Sequence, residues 1–332
     1  MNPALQGILT IVIGVGACVG YFYFANQILD KVIFPARGPN TGRNINRANM
    51  IRPWLFIFPA FFALGLYLAY PVVETLRLSF LDRDAGNAFV GFENYAQLTR
   101  EAKFWEAMRN NMLWLVVVPA LSTALGLLVA QLTDRISWGS IAKSLIFMPM
   151  AISFVGAGVI WKLVYEIRPD EVAQIGILNA ILVGIGAEPQ NWLTIPFWNN
   201  FFLMIVLIWI QTGFAMVILS AALRGIPEET VEAAIVDGAN PFQIFFKIKV
   251  PQIMPTIVVV WTTITLTVLK VFDIVFTMTN GQWETQVLAN YMYDKLFRAG
   301  DWGVGSAAAI VLMLLVSPIL VWNVYNARKE MR

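Results

Sequence analysis

Histidine is absent from this chain, and cysteine occurs once, at Cys18 within an apolar run. Without histidine the usual general base and the commonest metal ligand are missing. A single thiol forms neither an internal disulfide nor a cysteine metal site. A phosphate cradle of the form Gly-x4-Gly-Lys-[Ser/Thr] is also missing: GSIAKS at 139–144 lacks the second glycine and has the wrong spacing. The chain is therefore not expected to be an enzyme or to hydrolyse ATP, and no catalytic or metal-binding residue is assigned. Charge is scarce as well, at 13% of residues with a net +2, which makes no case for nucleic acid.

What the chain has in excess is apolar sequence, 58% of its 332 residues. A soluble domain is about half apolar and about a quarter charged. The apolar residues fall in blocks long enough for the ~20 residues of helix that cross a bilayer. Spans are read at 6–28, 53–76, 110–131, 141–165, 199–221, 253–276 and 303–326, which predicts an all-α polytopic membrane protein in contact with lipid. The first span has no basic residue before Lys31, and Tyr21-Phe22-Tyr23-Phe24 follows its apolar centre. It reads as a retained helix rather than a cleaved signal peptide or an in-plane helix.

Basic residues in short connectors set orientation. Residues 30–52 carry Lys31, Arg37, Arg43, Arg47 and Arg52 against Asp30 alone, so that connector is expected in the cytoplasm. Alternation then places 132–140, 222–252 and the tail 327–332 inside. It places the N-terminus, 77–109, 166–198 and 277–302 outside. Segment 77–109 balances its bases with Asp82, Asp84, Glu93, Glu101 and Glu106. The aromatics Phe104, Trp105, Trp192, Phe197 and Trp198 read as membrane-interface belts.

The connector before the sixth span is too long and too patterned for a turn. In EETVEAAIVDGANPFQIFFKIKVP, 228–251, Pro227 and the acids Glu228 and Glu229 suit a helix start. Val231, Ala234 and Ile235 recur on one face, Ala233 and Ala234 permit close approach, and Gly238 suits a left-handed helix end. Asn240-Pro241 prevents direct continuation, and Phe242, Phe245 and Phe246 open a second helix ending near Lys247 and Lys249. An apolar face on such a loop suits a protein interface or a lipid surface. The acids Glu228, Glu229, Glu232 and Asp237 favour a protein.

This stretch resembles the EAA loop of ABC importer permeases: Glu232, Ala233, Ala234, Gly238, Ile248 and Pro251 stand at the motif's spacing, and Val250 replaces its leucine. FVGFENYAQL (89–98), FWEAMRNNMLW (104–114) and LKVFDIVFTMTNGQ (269–282) are similar to the maltose-type, sugar-transporting branch, most of all to alpha-glucoside permeases. That branch often has Gly-Gly-Pro where this chain has Gly281-Gln282-Trp283. The resemblance implies a six-helix type I importer permease core over 53–326 and one extra N-terminal helix with its basic connector over 1–52. It also implies an inner-membrane location and four kinds of partner: a second permease, a dimer of ATP-binding subunits, an external solute-binding protein and a sugar. This chain needs no cofactor of its own, since ATP and Mg2+ sit in the ATPase subunits. Glu232, Ala233, Ala234, Asp237, Gly238, Phe242, Ile248 and Pro251 would couple to those subunits, with Glu232 pairing with a base in their groove, and the spans would rock around a site at mid-membrane.

Sugar contacts in the relatives come from the helices flanking this loop. There the chain offers Trp209, Gln211, Thr212 and Phe214, then Thr263, Thr267, Lys270 and Asp273. Gln211 and Thr267 could bond hydroxyls, while Trp209 and Phe214 could stack on a sugar face. Polar groups in a span face a bundle or a cavity, and these residues could equally bond neighbouring helices, their own backbone or the core. Lys270 and Asp273, three apart on one expected helix face, read as a mutually neutralising pair. The competing classes are an ion-coupled secondary transporter, which would bury charges mid-span, and a membrane scaffold, which needs no polar path.

Overall fold

A computed structural model describes residues 3–38, 40–82, 86–134, 136–169 and 171–330. Asp84 and the tail residues Met331 and Arg332 lie outside the described residues. The chain divides into two units at Glu74. The first holds α1 (Pro3–Ile28), a π-helical turn at Leu29–Ile33 and α2 (Thr41–Leu64). Within it the Tyr21 hydroxyl donates to the Leu55 carbonyl at 3.0 Å, Phe22 stacks on Phe56 with ring centres 5.1 Å apart, and Arg52 pairs with Asp30 at 2.6 Å. Most other apolar side chains of α1 are exposed, as a helix bathed in lipid requires.

α3 (Tyr70–Leu78) carries the chain into the second unit. There β1 (Leu81–Asp82) pairs antiparallel with β2 (Ala88–Phe89), Leu81 opposite Phe89. The helices α4 (Glu93–Arg100), α5 (Ala102–Thr133), α6 (Gly139–Phe147), α7 (Phe154–Val164), α8 (Ile177–Gly184) and α9 (Trp198–Arg224) follow. After them come α10 (Glu228–Val236), α11 (Pro241–Gln243), α12 (Val250–Gln252), α13 (Met254–Leu269), α14 (Asp273–Met278), α15 (Leu288–Tyr293) and α16 (Trp302–Glu330).

The core lies where α5, α9 and α13 meet, around Trp114, Val118, Leu203, Leu207, Val260 and Ile264. Lipid tails are as apolar as leucine, so such helices are held by close van der Waals fit rather than escape from water. Gly126 shows how close that fit is. A β-carbon there would stand 2.4 Å from the Ala215 β-carbon and 2.9 Å from the Met216 backbone nitrogen.

Among the described residues, five helical runs are long and apolar enough to cross a membrane, and seven if each of two bent pairs counts as one span. The seven expected spans all find a counterpart, and the molecule is an all-α polytopic membrane protein. Two spans expected to be continuous are not. Span 141–165 turns by 105° between Ala151 and Phe154. Pro149 sits in the 3-10 turn Met148–Ala151, and the Ser153 hydroxyl restarts the helix by accepting from Gly156 N at 3.1 Å. In span 253–276 the helix ends at Leu269 with Lys270 as its cap, and the break buries both Val271 and Ile274.

Candidate functional site

The loop 228–251 folds as its punctuation predicts. Gly238, at φ +81°, closes α10: its N–H reaches Ile235 O at 3.0 Å, and Ala239 N–H reaches Ala234 O at 2.9 Å. Asn240 then caps the next helix. Its side-chain oxygen accepts from Gln243 N, and the Gln243 side chain accepts from Asn240 N, both at 2.9 Å. A π turn at Ile244–Lys249 precedes Pro251, which cannot continue the hydrogen-bond ladder. The helix bends by 71° into α13.

The apolar face differs from the expected one. Ala234 is buried against the loop's second half and Val231 is half-buried, so only Ile235 of the predicted trio faces out. The exposed apolar surface is instead Ile235, Val236, Phe242 and Phe246, with Val236 86% and Phe242 77% exposed. Ala233, Asp237 and Pro251 are exposed, and Ile248 is half-buried. Glu232 is exposed at a cleft of ≈ 400 Å³ between α10 and the bundle, which also holds Asp134, Arg224, Glu228 and Lys249.

The eight residues proposed for the path fall into two groups. Thr267, Lys270 and Asp273 line a cavity of ≈ 250 Å³ together with Phe154, Leu207 and Phe272. That cavity exists because both bent regions, at 152–153 and 270–272, meet beside α9. Lys270 caps α13 and Asp273 opens α14, so they do not share a helix face. No ion pair joins them among the described residues, which corrects the expected neutralised pair. Thr263 and Thr267 hydroxyls bond backbone carbonyls one turn back, at 2.8 and 3.2 Å. The other group lies apart from this cavity lining. Trp209 is half-buried edge-on to Trp161 with ring centres 5.8 Å apart, Phe214 is half-buried against the core, and Gln211 is buried. The Thr212 hydroxyl is buried without a hydrogen-bond partner among the described residues.

Sequence reasoning missed a polar clamp at the bundle end opposite the 228–251 loop. Segment 279–290 threads between α5 and α9. Asn110 Nδ2 donates to the carbonyls of Glu284 and Gln286, both at 2.9 Å, and Asn111 Oδ1 accepts from Leu288 N at 2.8 Å. Asn199 donates to Trp283 O, and Asn200 donates to Glu284 O at 3.2 Å. Asn280, Gly281, Trp283 and Glu284 all have positive φ, a costly backbone that persists only when over-determined by its surroundings. Beside it, Tyr291 donates to Glu101 at 2.7 Å and Lys295 pairs with Glu101 at 2.6 Å. Burial, and then the bond to Glu101, push the Tyr291 phenol above its ordinary pKa. The visible signal was the pair of Asn-Asn dipeptides at the starts of two spans. Among the described residues no cluster of acids or cysteine could hold a metal.

Residues 122–331 match the family described as binding-protein-dependent transport system inner membrane component. The alpha-glucoside transport system permease protein AglF of Rhizobium meliloti is 61% identical over 334 residues, covering 99% of this chain and 99% of that protein. The osmoprotective compounds uptake permease protein GgtC of Synechocystis sp. is 48% identical over 280 residues, 84% of this chain and all of that protein. A solved bacterial ABC transporter involved in import of the acidic polysaccharide alginate shares the fold, with a TM-score of 0.73 at 21% identity over 87% of this chain and 99% of that one. The resemblance read from Glu232 to Pro251 points to the same group.

Proposed function

The chain belongs to the family of binding-protein-dependent transport system inner membrane components, and on that premise we propose that it is one half of a translocation path for alpha-glucosides. A second permease supplies the other half. An external solute-binding protein delivers the sugar, and a dimer of ATPase subunits, which hold ATP and Mg2+, drives the cycle. The 61% identity to an alpha-glucoside permease over the full length carries the choice of sugar. The gradient-driven alternative has no footing in a binding-protein-dependent family.

The loop 228–251 is the lever in this reading, and its end of the bundle faces the cytoplasm. Ile235, Val236, Phe242 and Phe246 form the contact with an ATPase subunit, and the acids on α10 supply its charged rim. An exposed apolar patch of this kind marks a protein interface. The Schellman closure at Gly238 and the capping box at Asn240 make the two loop helices a rigid angle, so a push on α10 reaches the base of α13. Sugar hydroxyls meet Lys270 and Asp273 in the cavity at the two breaks, where Thr267 forms part of the wall and Phe154 or Phe272 offers a ring face. Trp209, Gln211, Thr212 and Phe214 line the path in states other than this one.

The test is uptake in vesicles holding the reconstituted complex, supplied with a panel of labelled disaccharides. Alpha-linked glucosides are expected to accumulate only with ATP inside and binding protein outside. Accumulation driven by an ion gradient without ATPase subunits would overturn the reading. Normal uptake by a Gly238→Pro variant would overturn the lever.

A further inference from the structure

Where the lever meets the bundle, three side chains, one from each of three helices, converge on one hydroxyl. Lys143 of α6 pairs with Asp134, the residue that closes α5. Ser220 of α9 is fully buried, and its hydroxyl lies 2.6 Å from Lys143 Nζ and 3.1 Å from Asp134 Oδ1. Arg224, the last residue of α9, reaches Ser220 Oγ at 3.2 Å and Asp134 at 3.6 Å. Only Gly225, Ile226 and Pro227 separate Arg224 from the start of α10. Asp134 and Arg224 also line the cleft that Glu228 and Glu232 of α10 face from the other side.

From this geometry we infer that Asp134 is a positioning residue for energy coupling: it locks the ends of α5, α6 and α9 into one block, so displacement of α10 moves three helices together. The inference rests on the proposed ATP-driven reading. A three-residue linker gives α10 little slack, and its pull arrives at Arg224 first. If α9 were free at that end, it would yield alone. The side chains of Lys143 and Asp134 are 17% and 22% exposed, with Asp134 at the edge of the cleft, so the pair is screened by salt less than one on the open surface. The glycine contact of α5 against α9 at Gly126 extends the block along the helices.

The experiment compares ATP hydrolysed per sugar imported in the complete reconstituted complex for wild type, Asp134→Asn, Asp134→Glu and Ser220→Ala. Asp134→Asn is expected to raise that ratio at least about fivefold, the scale of a lost charged hydrogen bond in a coupling equilibrium. Ser220→Ala raises it less, and Asp134→Glu keeps it near wild type. A merely structural role would lower the amount of assembled complex and leave the ratio per complex unchanged. If Asp134→Asn fails to assemble, Ser220→Ala decides, because it keeps the Lys143–Asp134 pair and removes the hydroxyl bridge to α9, leaving only the 3.6 Å contact of Arg224 with Asp134. Wild-type ratios in Ser220→Ala and in every assembled Asp134→Asn complex overturn the inference. A wild-type complex that imports sugar without hydrolysing ATP overturns the proposed function instead.

Discussion

Asn110 holds two carbonyl oxygens at once, those of Glu284 and Gln286, each 2.9 Å from its side-chain nitrogen and more than 170 residues away in the chain. One buried amide on α5 therefore fixes a loop whose backbone is otherwise unfavourable.

Asn110→Ala removes both bonds; the Glu284 carbonyl keeps Asn200 as a donor, and the Gln286 carbonyl is left unpaired. The cost is about 1–3 kcal/mol, the penalty for one buried group left unsatisfied. Thermal unfolding of the detergent-solubilised protein is expected to show it, together with faster protease cleavage between 279 and 287. An unchanged melting curve would contradict the clamp.

Gly126→Ala places a β-carbon into Ala215 and the Met216 backbone. Overpacking of this kind costs about 1–3 kcal/mol, and Gly126→Val more. The expected result is a lower melting temperature that falls further from Ala to Val. Equal stability of all three would mean that α5 and α9 sit farther apart than described.

Phe242 is 77% exposed and is the anchor of the ATPase contact proposed above. Phe242→Ser is expected to weaken co-purification of the ATPase subunit by at least about tenfold in Kd, the size of a modest interface anchor, while leaving the permease's own melting curve unchanged. Full retention of the subunit would remove Phe242 from the interface.

Lys270→Met and Asp273→Asn each delete a hydrogen-bonding group from the cavity at the helix breaks. Loss of one such bond to a sugar hydroxyl raises KM for import roughly threefold to tenfold, with basal ATP hydrolysis intact. Thr267→Val, whose hydroxyl already serves the Thr263 carbonyl, is expected to change KM little. Unaltered KM in both charged-residue variants would move the sugar elsewhere.

Tyr291 sets a pH limit. Its folded pKa lies above the unfolded value of about 10, so the protonated phenol is the form the fold favours. Its contribution to stability is complete below pH of about 10 and is lost as pH rises beyond that. Melting temperatures measured from pH 8 to 11 are expected to fall more steeply in wild type than in Tyr291→Phe. Parallel curves would contradict this.

The local fold of the loop 228–251 was readable almost residue by residue. Gly238, Asn240-Pro241 and Gln243 act through backbone conformation and bonds three or four residues long, and such local physics is written in adjacent letters. Which apolar residues of that loop face outward was misread, because Ala234 packs against the loop's second half and Val231 lines the cleft towards the bundle. The break near Lys270 was invisible for a similar reason: the stretch is apolar enough to cross, and burial of Val271 and Ile274 goes with the interruption.

Apolar block length, sparse charge and loop punctuation alone determined that this is a multi-span helical protein with a two-helix loop at 228–251, since bilayer thickness and backbone stereochemistry leave few other outcomes. The tertiary structure decided what the polar residues inside the spans do. Asn110, Asp134 and Ser220 meet partners that are distant in the chain, so no local pattern announces them. Their roles come from helix packing, where a buried polar group is costly until the fold brings its complement.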